Sequence, residues 1–343
     1  MILNKIEITP YKINLRGSFQ NSNITYLSQS GYIVKLKIDN FYGYGEVSIL
    51  EGFSKENMQQ ILWSFEELKI AIKDKSDYHK DEFFDMFKVF CQDVPSLHFA
   101  LDIALLDILS KMDSVSIAKY LNPKLSLESI KISSIYDRNR KIDNDCIKIK
   151  LMCKNVNEDI LQLKKIFNQD KNETNFRVDA NQGYNFDDAI LMCNFLENKN
   201  IEYIEEPLID MSLENLKKLK KRTNINIAID ETVFSPDFKE LIDSNLVDSV
   251  VLKPSIYGGI EKIFNLKKYL DSKNINLFFS SSLENYIGNM SVVNIIAALG
   301  LNGSHGINNQ LFFDFKDLVS FNIDSKFINI QSAIGLGVTW NDS

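Results

Sequence analysis

The sequence predicts an α/β protein: a modified (β/α)8-type TIM barrel of the (β/α)7β kind, preceded by an N-terminal α+β capping domain. Three observations predict it. From about Ser129 onward, short β-branched apolar runs alternate with longer helical patterns, and corresponding points recur roughly every 24 to 29 residues, about the length of one strand, one helix and two loops. Seven or so such units in a row favour closure of a parallel sheet into a barrel. No GxGxxG turn follows the first of these strands, which disfavours the alternative of an open doubly wound sheet. The predicted boundaries are 1–112 for the cap, 113–310 for the barrel and 311–343 for a C-terminal segment packing back on the cap.

Within the cap, "YIVKLKIDNFYGYGEVSIL" reads as two strands around a short turn at Asp39–Asn40. The polar stretch "RGSFQNSNITYLSQSG" ahead of them is long for a hairpin connection and predicts a lid loop. Apolar-periodic stretches from Lys55 to Lys73 and from Pro95 to Lys111 predict two helices. The barrel strands are "SIKISSI" (129–135), "CIKIKLM" (146–152), "NFRVDA" (175–180), "IEYIEEP" (201–207), "INIAID" (225–230), "SVVLKP" (249–254) and "INLFFSSS" (275–282). Amphipathic segments such as "NEDILQLKKIF", "FDDAILMCNFLENK", "SLENLKKLKKR" and "GIEKIFNLKKYLDSK" supply the helices between them.

Composition narrows the function classes. The chain has 343 residues, 45% hydrophobic and 25% charged, ordinary for a globular protein with a sizeable core. A net charge of −7 argues against a nucleic-acid binder and leaves room for small anionic substrates, which respond to local charge. No apolar run reaches membrane-spanning length, and the start "MILNKIEITPYKINL" does not read as a signal peptide, so a cytoplasmic protein without membrane insertion is expected. Cys91, Cys146, Cys153 and Cys193 lack CxxC spacing and read as reduced core thiols. Only three scattered histidines are present, little material for a zinc cluster or a His-based nucleophile. A homo-oligomer stays open.

The chemistry sits at the strand ends. Strands alternate their side chains with period two, so "CIKIKLM" sends Lys148 and Lys150 one way and Ile147, Ile149 and Leu151 the other. The next strands direct Arg177, Asp179 and Asn181, then Tyr203 and Glu205, then Ala228 and Asp230, then Val251 and Lys253 toward the barrel axis. Taken singly, "DAN" is a common turn, "EEP" a strand exit and "DET" a helix cap; two lysines on one face can guard a strand edge. Together, three inward carboxylates, Asp179, Glu205 and Asp230, repel unless a cation sits among them, and all-oxygen ligands suit Mg2+. In an eight-stranded barrel the second and sixth strands lie across the axis, so Lys150 and Lys253 face one another over that ion. Lys148 and a nearby dication favour the neutral amine of Lys150, as a general base requires.

The constellation resembles the enolase superfamily, in its muconate-lactonizing subgroup. "KIK" at 148–150, "DAN" at 179–181, "EEP" at 205–207, "DE" at 230–231 and "KPSIYGG" at 253–259 carry the resemblance. Within the subgroup, "GYGEVSILEGFS" (43–54), "VVLKPSIYGGIEK" (250–262) and "SSSLENYIG" (280–288) are most similar to the o-succinylbenzoate synthases of menaquinone and phylloquinone biosynthesis. That resemblance implies a lyase: a Mg2+-assisted syn dehydration of a small-molecule carboxylate, 2-succinyl-6-hydroxy-2,4-cyclohexadiene-1-carboxylate. Mg2+ would sit on Asp179, Glu205 and Asp230. Lys150 would take the α proton, Lys253 stabilise the anion, and Lys148 tune Lys150. Asn181 would support the metal, and Ser280, Ser281 and Ser282 cradle the succinyl group. Arg16 on the lid, with Gly52, Phe53 and Ser54, would close over the substrate.

The resemblance also implies an alternative, an N-acylamino acid racemase or dipeptide epimerase using the same two lysines. Dipeptide epimerases usually carry an Asp-x-Asp pair near the last barrel strand, where this chain reads "SHGINNQLFFDF", which counts against that branch. "SSSLE" at the seventh strand disfavours muconate cycloisomerisation. A Schiff base on Lys253, as in class I aldolases, would leave the three carboxylates without purpose. Glu51, Tyr44 and Thr232 depart from residues frequent in the family, away from the chemistry.

Overall fold

A computed structural model describes residues 1–20, 25–72, 77–124, 126–138, 144–152, 155–170, 174–309, 313 and 326–340. The chain opens with an antiparallel sheet in the order β1-β2-β3, formed by β1 (Leu3–Gln20), β2 (Thr25–Ile38) and β3 (Phe41–Ser48). The expected tight turn is present: Ile38 pairs with Phe41, and Asp39 takes φ 50°, a left-handed conformation that Asp tolerates. The stretch expected to be a lid loop is largely sheet instead. Ile13 pairs with Gln29, Asn14 with Ser28 and Phe19 with Tyr26, with a register shift between Asn14 and Phe19. Residues 21–24 lie outside the described residues. Polar composition concealed the strand because its buried polar groups are satisfied: Gln29 Nε2 donates to Ser48 Oγ and Ile49 O, both at 2.9 Å.

Helices α1 (Met58–Ile72) and α3 (Pro95–Met112) fall where periodicity put them, and α2 (Lys80–Phe90) lies between them. α3 is buried along most of its length because it packs on both sides. Phe99, Ile103 and Leu106 join the barrel core, whereas Ala100, Ala104 and Ile108 join the cap core. Its backbone lies directly on β3: a Cβ on Gly45 would stand 1.9 Å from Ala100 O.

After α4 (Ile117–Leu121), the predicted first barrel strand is split. β4 (Ser129–Lys131) pairs antiparallel with β12 (Phe327–Asn329), while β5 (Ser134–Ile135) starts the parallel sheet. That sheet continues through β6 (Cys146–Lys150), β7 (Asn175–Asp179), β8 (Ile201–Glu205), β9 (Ile227–Ile229), β10 (Ser249–Leu252) and β11 (Asn276–Phe279), in sequence order. Residues 305 and 306 close the ring. Ile132 bridges His305 and Ser280 bridges Gly306, and Gly306 N donates to Phe279 O at 2.8 Å. Helices α5 (Val156–Gln169), α6 (Phe186–Leu196), α7 (Leu213–Lys220) and α10 (Ile260–Asp271) match the amphipathic segments. α8 (Phe238–Asp243), α9 (Pro254–Tyr257) and the wholly buried α11 (Tyr286–Ala298) carry no such signal.

Ile147, Ile149, Val178, Ile204, Ile227, Ile229, Val250 and Leu252 face the helices in the main core. Tyr203, Ala228, Val251 and Phe278 form a separate cluster inside the barrel. The Arg177 guanidinium lies there, 4.1 Å from the Phe278 ring centroid. The alternation read from the sequence is thus the observed one. Of the C-terminal segment, Leu336 N donates to Asp107 Oδ1 on α3 at 2.7 Å, and Trp340 stacks on Tyr286 at 5.8 Å. Cys91, Cys146 and Cys193 are buried free thiols, and Cys153 lies outside the described residues. Among the described residues, no helix is long and apolar enough to cross a membrane.

Candidate active site

One cavity opens at the C-terminal ends of the barrel strands, beneath the cap. Lys148 and Lys150 enter it from β6, Asp179 and Asn181 from the end of β7, Asp230 from β9 and Lys253 from β10. Leu50 and Phe53 of the cap, with Ser133, Ile135, Ser280, Ser281, Leu283, Gly306, Asn308 and Asn309, complete its lining. Three strands, β7 to β9, separate β6 from β10 on one side of the ring. On the other side stand β11, the closing segment and β5, so Lys150 and Lys253 rise from opposite walls. Register brings the acids level: Lys150 pairs with Asp179, Asp179 with Glu205 and Glu205 with Ala228.

The charges interlock. Lys148 Nζ lies 2.8 Å from both Asp179 Oδ2 and Glu205 Oε1. Lys253 Nζ pairs with Asp230 Oδ2 and lies 4.4 Å from the Phe53 ring centroid. Burial works against the Lys148 ammonium, but the Asp179 and Glu205 carboxylates outweigh it and hold its pKa well above the ordinary value. Burial likewise opposes the charge on Lys253, which Asp230 and Glu231 overcome, so its pKa is also raised. Lys150 goes the other way. Burial lowers it, Asp179 opposes only in part, and Lys148 and Lys253 lower it further. Burial raises the Asp179 carboxyl, yet Lys148 and Lys150 outweigh it and bring its pKa below the usual range. Glu205 is pushed up to about 7, by burial first and then by repulsion from Asp179.

Among the described residues, no three acidic, His or Cys side chains already close around a point as a metal centre would. The donor set nevertheless fits a divalent ion. It offers oxygen only, Glu205 Oε2 is buried with no hydrogen-bond partner, and the Lys148 ammonium already bridges two of the three acids as a cation would.

Several expected substrate contacts fall elsewhere. Arg16 is exposed on β1 and does not line the cavity, because the stretch expected to fold over as a loop is strand. Gly52 (φ 83°) and Ser54, whose Oγ accepts from Leu50 N at 3.1 Å, shape the turn that presents Phe53. Neither of them lines the cavity. Ser282 stands behind the wall, where Ser255 Oγ donates to its Oγ at 2.9 Å and Ser48 Oγ to its carbonyl at 3.1 Å. Ser280 and Ser281 do line the cavity.

Sequence reading missed the supports. Glu206, next to Glu205 but on the other face of the strand, accepts from Asp230 N and Thr232 N, both at 2.8 Å, and fixes the chain around Asp230. Glu284 accepts from Ser281 Oγ at 2.6 Å and Ser282 N at 2.9 Å. Glu46 of β3 accepts from Asn285 N and Gly288 N at 2.9 and 2.7 Å, tying the cap to the start of α11. A charged residue inside an apolar run, as in "GYGEVSIL" or "SSSLENYIG", was the available signal.

A closed barrel roofed by an α+β sheet, with carboxylates and lysines meeting at its strand ends, defines a class of capped barrels. The family model described as Enolase C-terminal domain-like matches residues 138–343, more than half of the chain, and the chain belongs to that family. Among curated proteins, an L-Ala-D/L-Glu epimerase of Francisella tularensis subsp. novicida is 28% identical over 286 residues, covering 78% of this chain and 80% of its own. An N-succinyl-L-Arg/Lys racemase of Bacillus cereus is 23% identical, covering 100% of this chain and 96% of its own. Among solved structures, a substrate-liganded L-Ala-D/L-Glu epimerase from Bacillus subtilis superposes with TM-score 0.86 at 19% identity, over 98% of this chain and 99% of that one. A dipeptide epimerase from Enterococcus faecalis, complexed with Mg and the dipeptide L-Leu-L-Tyr, gives TM-score 0.86 at 21% identity, over 99% and 100%.

Proposed function

We propose that the protein is a racemase or epimerase that inverts an α-carbon bearing a carboxylate, in a substrate of the N-acylamino acid or dipeptide class. The observation that carries this reading is the placement of Lys150 and Lys253 on opposite walls of one cavity. Inversion needs one base to remove a proton from one face and one acid to deliver a proton to the other. Lys150, with its lowered pKa, is disposed to accept a proton; Lys253, with its raised pKa, is disposed to give one. In the reverse direction the roles exchange.

Asp179, Glu205 and Asp230 are the residues that would hold Mg2+. When bound, the ion supplies positive charge that stabilises the substrate carboxylate as the α proton becomes labile. Lys148 anchors two of these acids and, by its charge, keeps Lys150 inclined to the neutral amine. Asn181, whose N donates to Asp179 Oδ1 at 3.0 Å, fixes that carboxylate. Phe53 roofs Lys253 and excludes water from it. The names of the two relatives given above, an epimerase and a racemase, favour proton transfer over elimination.

A second reading is the dehydration to o-succinylbenzoate. "SSSLE" favours it, with Ser280 and Ser281 lining the cavity.

One experiment separates the two. Mg2+-loaded protein in D2O should wash out the α proton of N-acylamino acids or dipeptides in 1H NMR, erasing the optical rotation of the former and converting the latter to a mixture of diastereomers. Lys150→Ala and Lys253→Ala should each abolish racemisation, while each retains exchange from the one enantiomer whose proton the surviving lysine removes. Formation of o-succinylbenzoate with no exchange on any amino-acid substrate would overturn the proposal in favour of the second reading.

A further inference from the structure

A carboxylate is buried in the helix layer of the barrel, outside the cavity. Asp159 stands on α5 with Val156, Ile160, Leu163 and Ile166, the residues of its buried stripe, and is itself 4% exposed. A charge on that stripe is costly unless donors meet it. Two segments supply them. Asp159 Oδ1 accepts from Met152 N at 3.3 Å, and Oδ2 accepts from Tyr184 OH at 2.7 Å. Met152 lies two residues past Lys150, and Tyr184 five past Asp179. Among the described residues that line the cavity, neither Asp159 nor Tyr184 appears.

The two attachments sit at the exits of the strands that carry the chemistry. β6 ends at Lys150. Just beyond it, Leu151 N donates to Asp179 O at 2.9 Å, and the next N–H, that of Met152, goes to Asp159. The backbone leaving the base is thus held first by β7 and then by α5. β7 itself leaves through a strained turn. Asn181 (φ 44°) and Gln182 (φ 57°) both take the left-handed conformation, which asparagine tolerates and glutamine resists. Two such residues in succession persist only where the surroundings over-determine them. Gln182 N donates to Glu206 O at 2.8 Å. Tyr184, buried at the end of the turn, accepts at its carbonyl from Ile209 N at 2.8 Å and donates its hydroxyl to Asp159. One carboxylate therefore ties the exits of β6 and β7 and, through Tyr184, that of β8, the strands ending in Lys150, Asp179 and Glu205.

We propose that Asp159 is a positioning residue for the proton transfer, fixing the spacing between Lys150 and the Asp179 carboxylate by holding the chain that follows each. This rests on the proton-transfer reading above and adds to it a residue that stands outside the cavity. A carboxylate suits the task because its two oxygens accept from two segments at once, whereas an apolar residue on the same stripe would pack without fixing either. The effect is one-sided. Lys253 rises from β10, with three strands between it and β6, so loosening the exit of β6 disturbs one base and spares the other.

The test uses the Mg2+-loaded full chain and α-proton exchange in D2O. The probes are the separate L- and D-leucine forms of N-acetylleucine, N-succinylleucine and L-alanylleucine. Lys150→Ala identifies the form whose proton Lys150 removes. Asp159→Ala, with Asp159→Ser as a second variant should the first misfold, should slow exchange from that form by roughly tenfold or more relative to the opposite form. Asp159→Asn should recover most of the loss, since the amide oxygen still accepts from Met152 N and the amide nitrogen donates to a Tyr184 hydroxyl turned to accept. Tyr184→Phe, which cuts the arm to Asp179 alone, should weaken Mg2+ binding by up to roughly tenfold in calorimetry. An unchanged ratio in the Asp159→Ala protein, an equal fall from both forms, or a Mg2+ affinity unmoved by Tyr184→Phe overturns the positioning role and leaves the proton-transfer reading standing. Exchange from none of the probes by the parent protein overturns both.

Discussion

At the residue scale, the buried charges govern what substitution will do. Lys148 neutralises Asp179 and Glu205 at 2.8 Å each. Removing one partner of a buried ion pair leaves the other uncompensated, at about 3–5 kcal/mol. Lys148→Met should therefore lower the melting temperature of metal-free protein sharply, and Mg2+ should recover much of the loss. Equal losses with and without Mg2+ would mean that the acids do not bind the ion. Asp102 makes a different case. Burial pushes its carboxyl from 3.8 up to about 7, against a single hydrogen bond from Ile260 N. His98 Nε2 is 3.6 Å from it but stays neutral, its pKa lowered to about 4 by burial and by Lys88. The folded state holds the Asp102 proton more tightly than the unfolded chain does. Its contribution is therefore complete below pH 3.8 and is lost as pH rises through 7. Asp102→Asn should stabilise the protein most above pH 7, by about 2 kcal/mol, with the gain fading in acid. An unchanged slope of stability against pH in urea titrations would refute this.

Among the elements, the contact between α3 and β3 sets the cap on the barrel. Gly45 lets the helix backbone touch the strand, since a Cβ there would stand 1.9 Å from Ala100 O and 2.7 Å from Ala100 C. No flexible side chain can yield at that point. Gly45→Ala should cost at least about 2 kcal/mol, read as a lowered urea midpoint. A midpoint equal to the parent would show that the helix can slide. The paired helices and strands of the barrel were legible because each buries one face: Leu163 and Ile166 on α5, for example, are buried at helical spacing. α3 and α11 were harder. α11 is buried all round, from Tyr286 to Ala298, so no polar stripe marks its orientation.

For the whole molecule, metal and fold should be linked. An ion that binds the folded state alone stabilises by RT ln(1 + [L]/Kd), about 2.7 kcal/mol at a hundredfold excess over Kd. Millimolar Mg2+ should raise the melting temperature in a concentration-dependent way, EDTA should reverse it, and Asp179→Asn should abolish it. A melting temperature indifferent to Mg2+ in the parent protein would refute the metal assignment. The cap closes the cavity through Leu50 and Phe53, is pinned to the barrel by Glu46, and is joined to the C-terminal segment by Asp107, which accepts from Tyr44 N and Leu336 N. These joints are made of buried carboxylates.

The sequence by itself determined the barrel, its inward-facing residues and the meeting of Lys148, Lys150, Asp179, Asp230 and Lys253 in one cavity. Side-chain alternation in a strand is a local rule, and a run of parallel strands carries it around the ring unchanged. Tertiary structure alone decided the rest. That Ser282 lies behind the wall while Ser280 and Ser281 border the cavity follows from the turn after β11 and from Glu284, which no periodicity encodes. That Tyr26, Ser28 and Gln29 pair as strand, and that Glu284 O holds the Asn309 amide, depend on partners elsewhere in the chain. Hydrogen bonds between distant segments are set by how the elements dock, and a linear reading sees only one side of each.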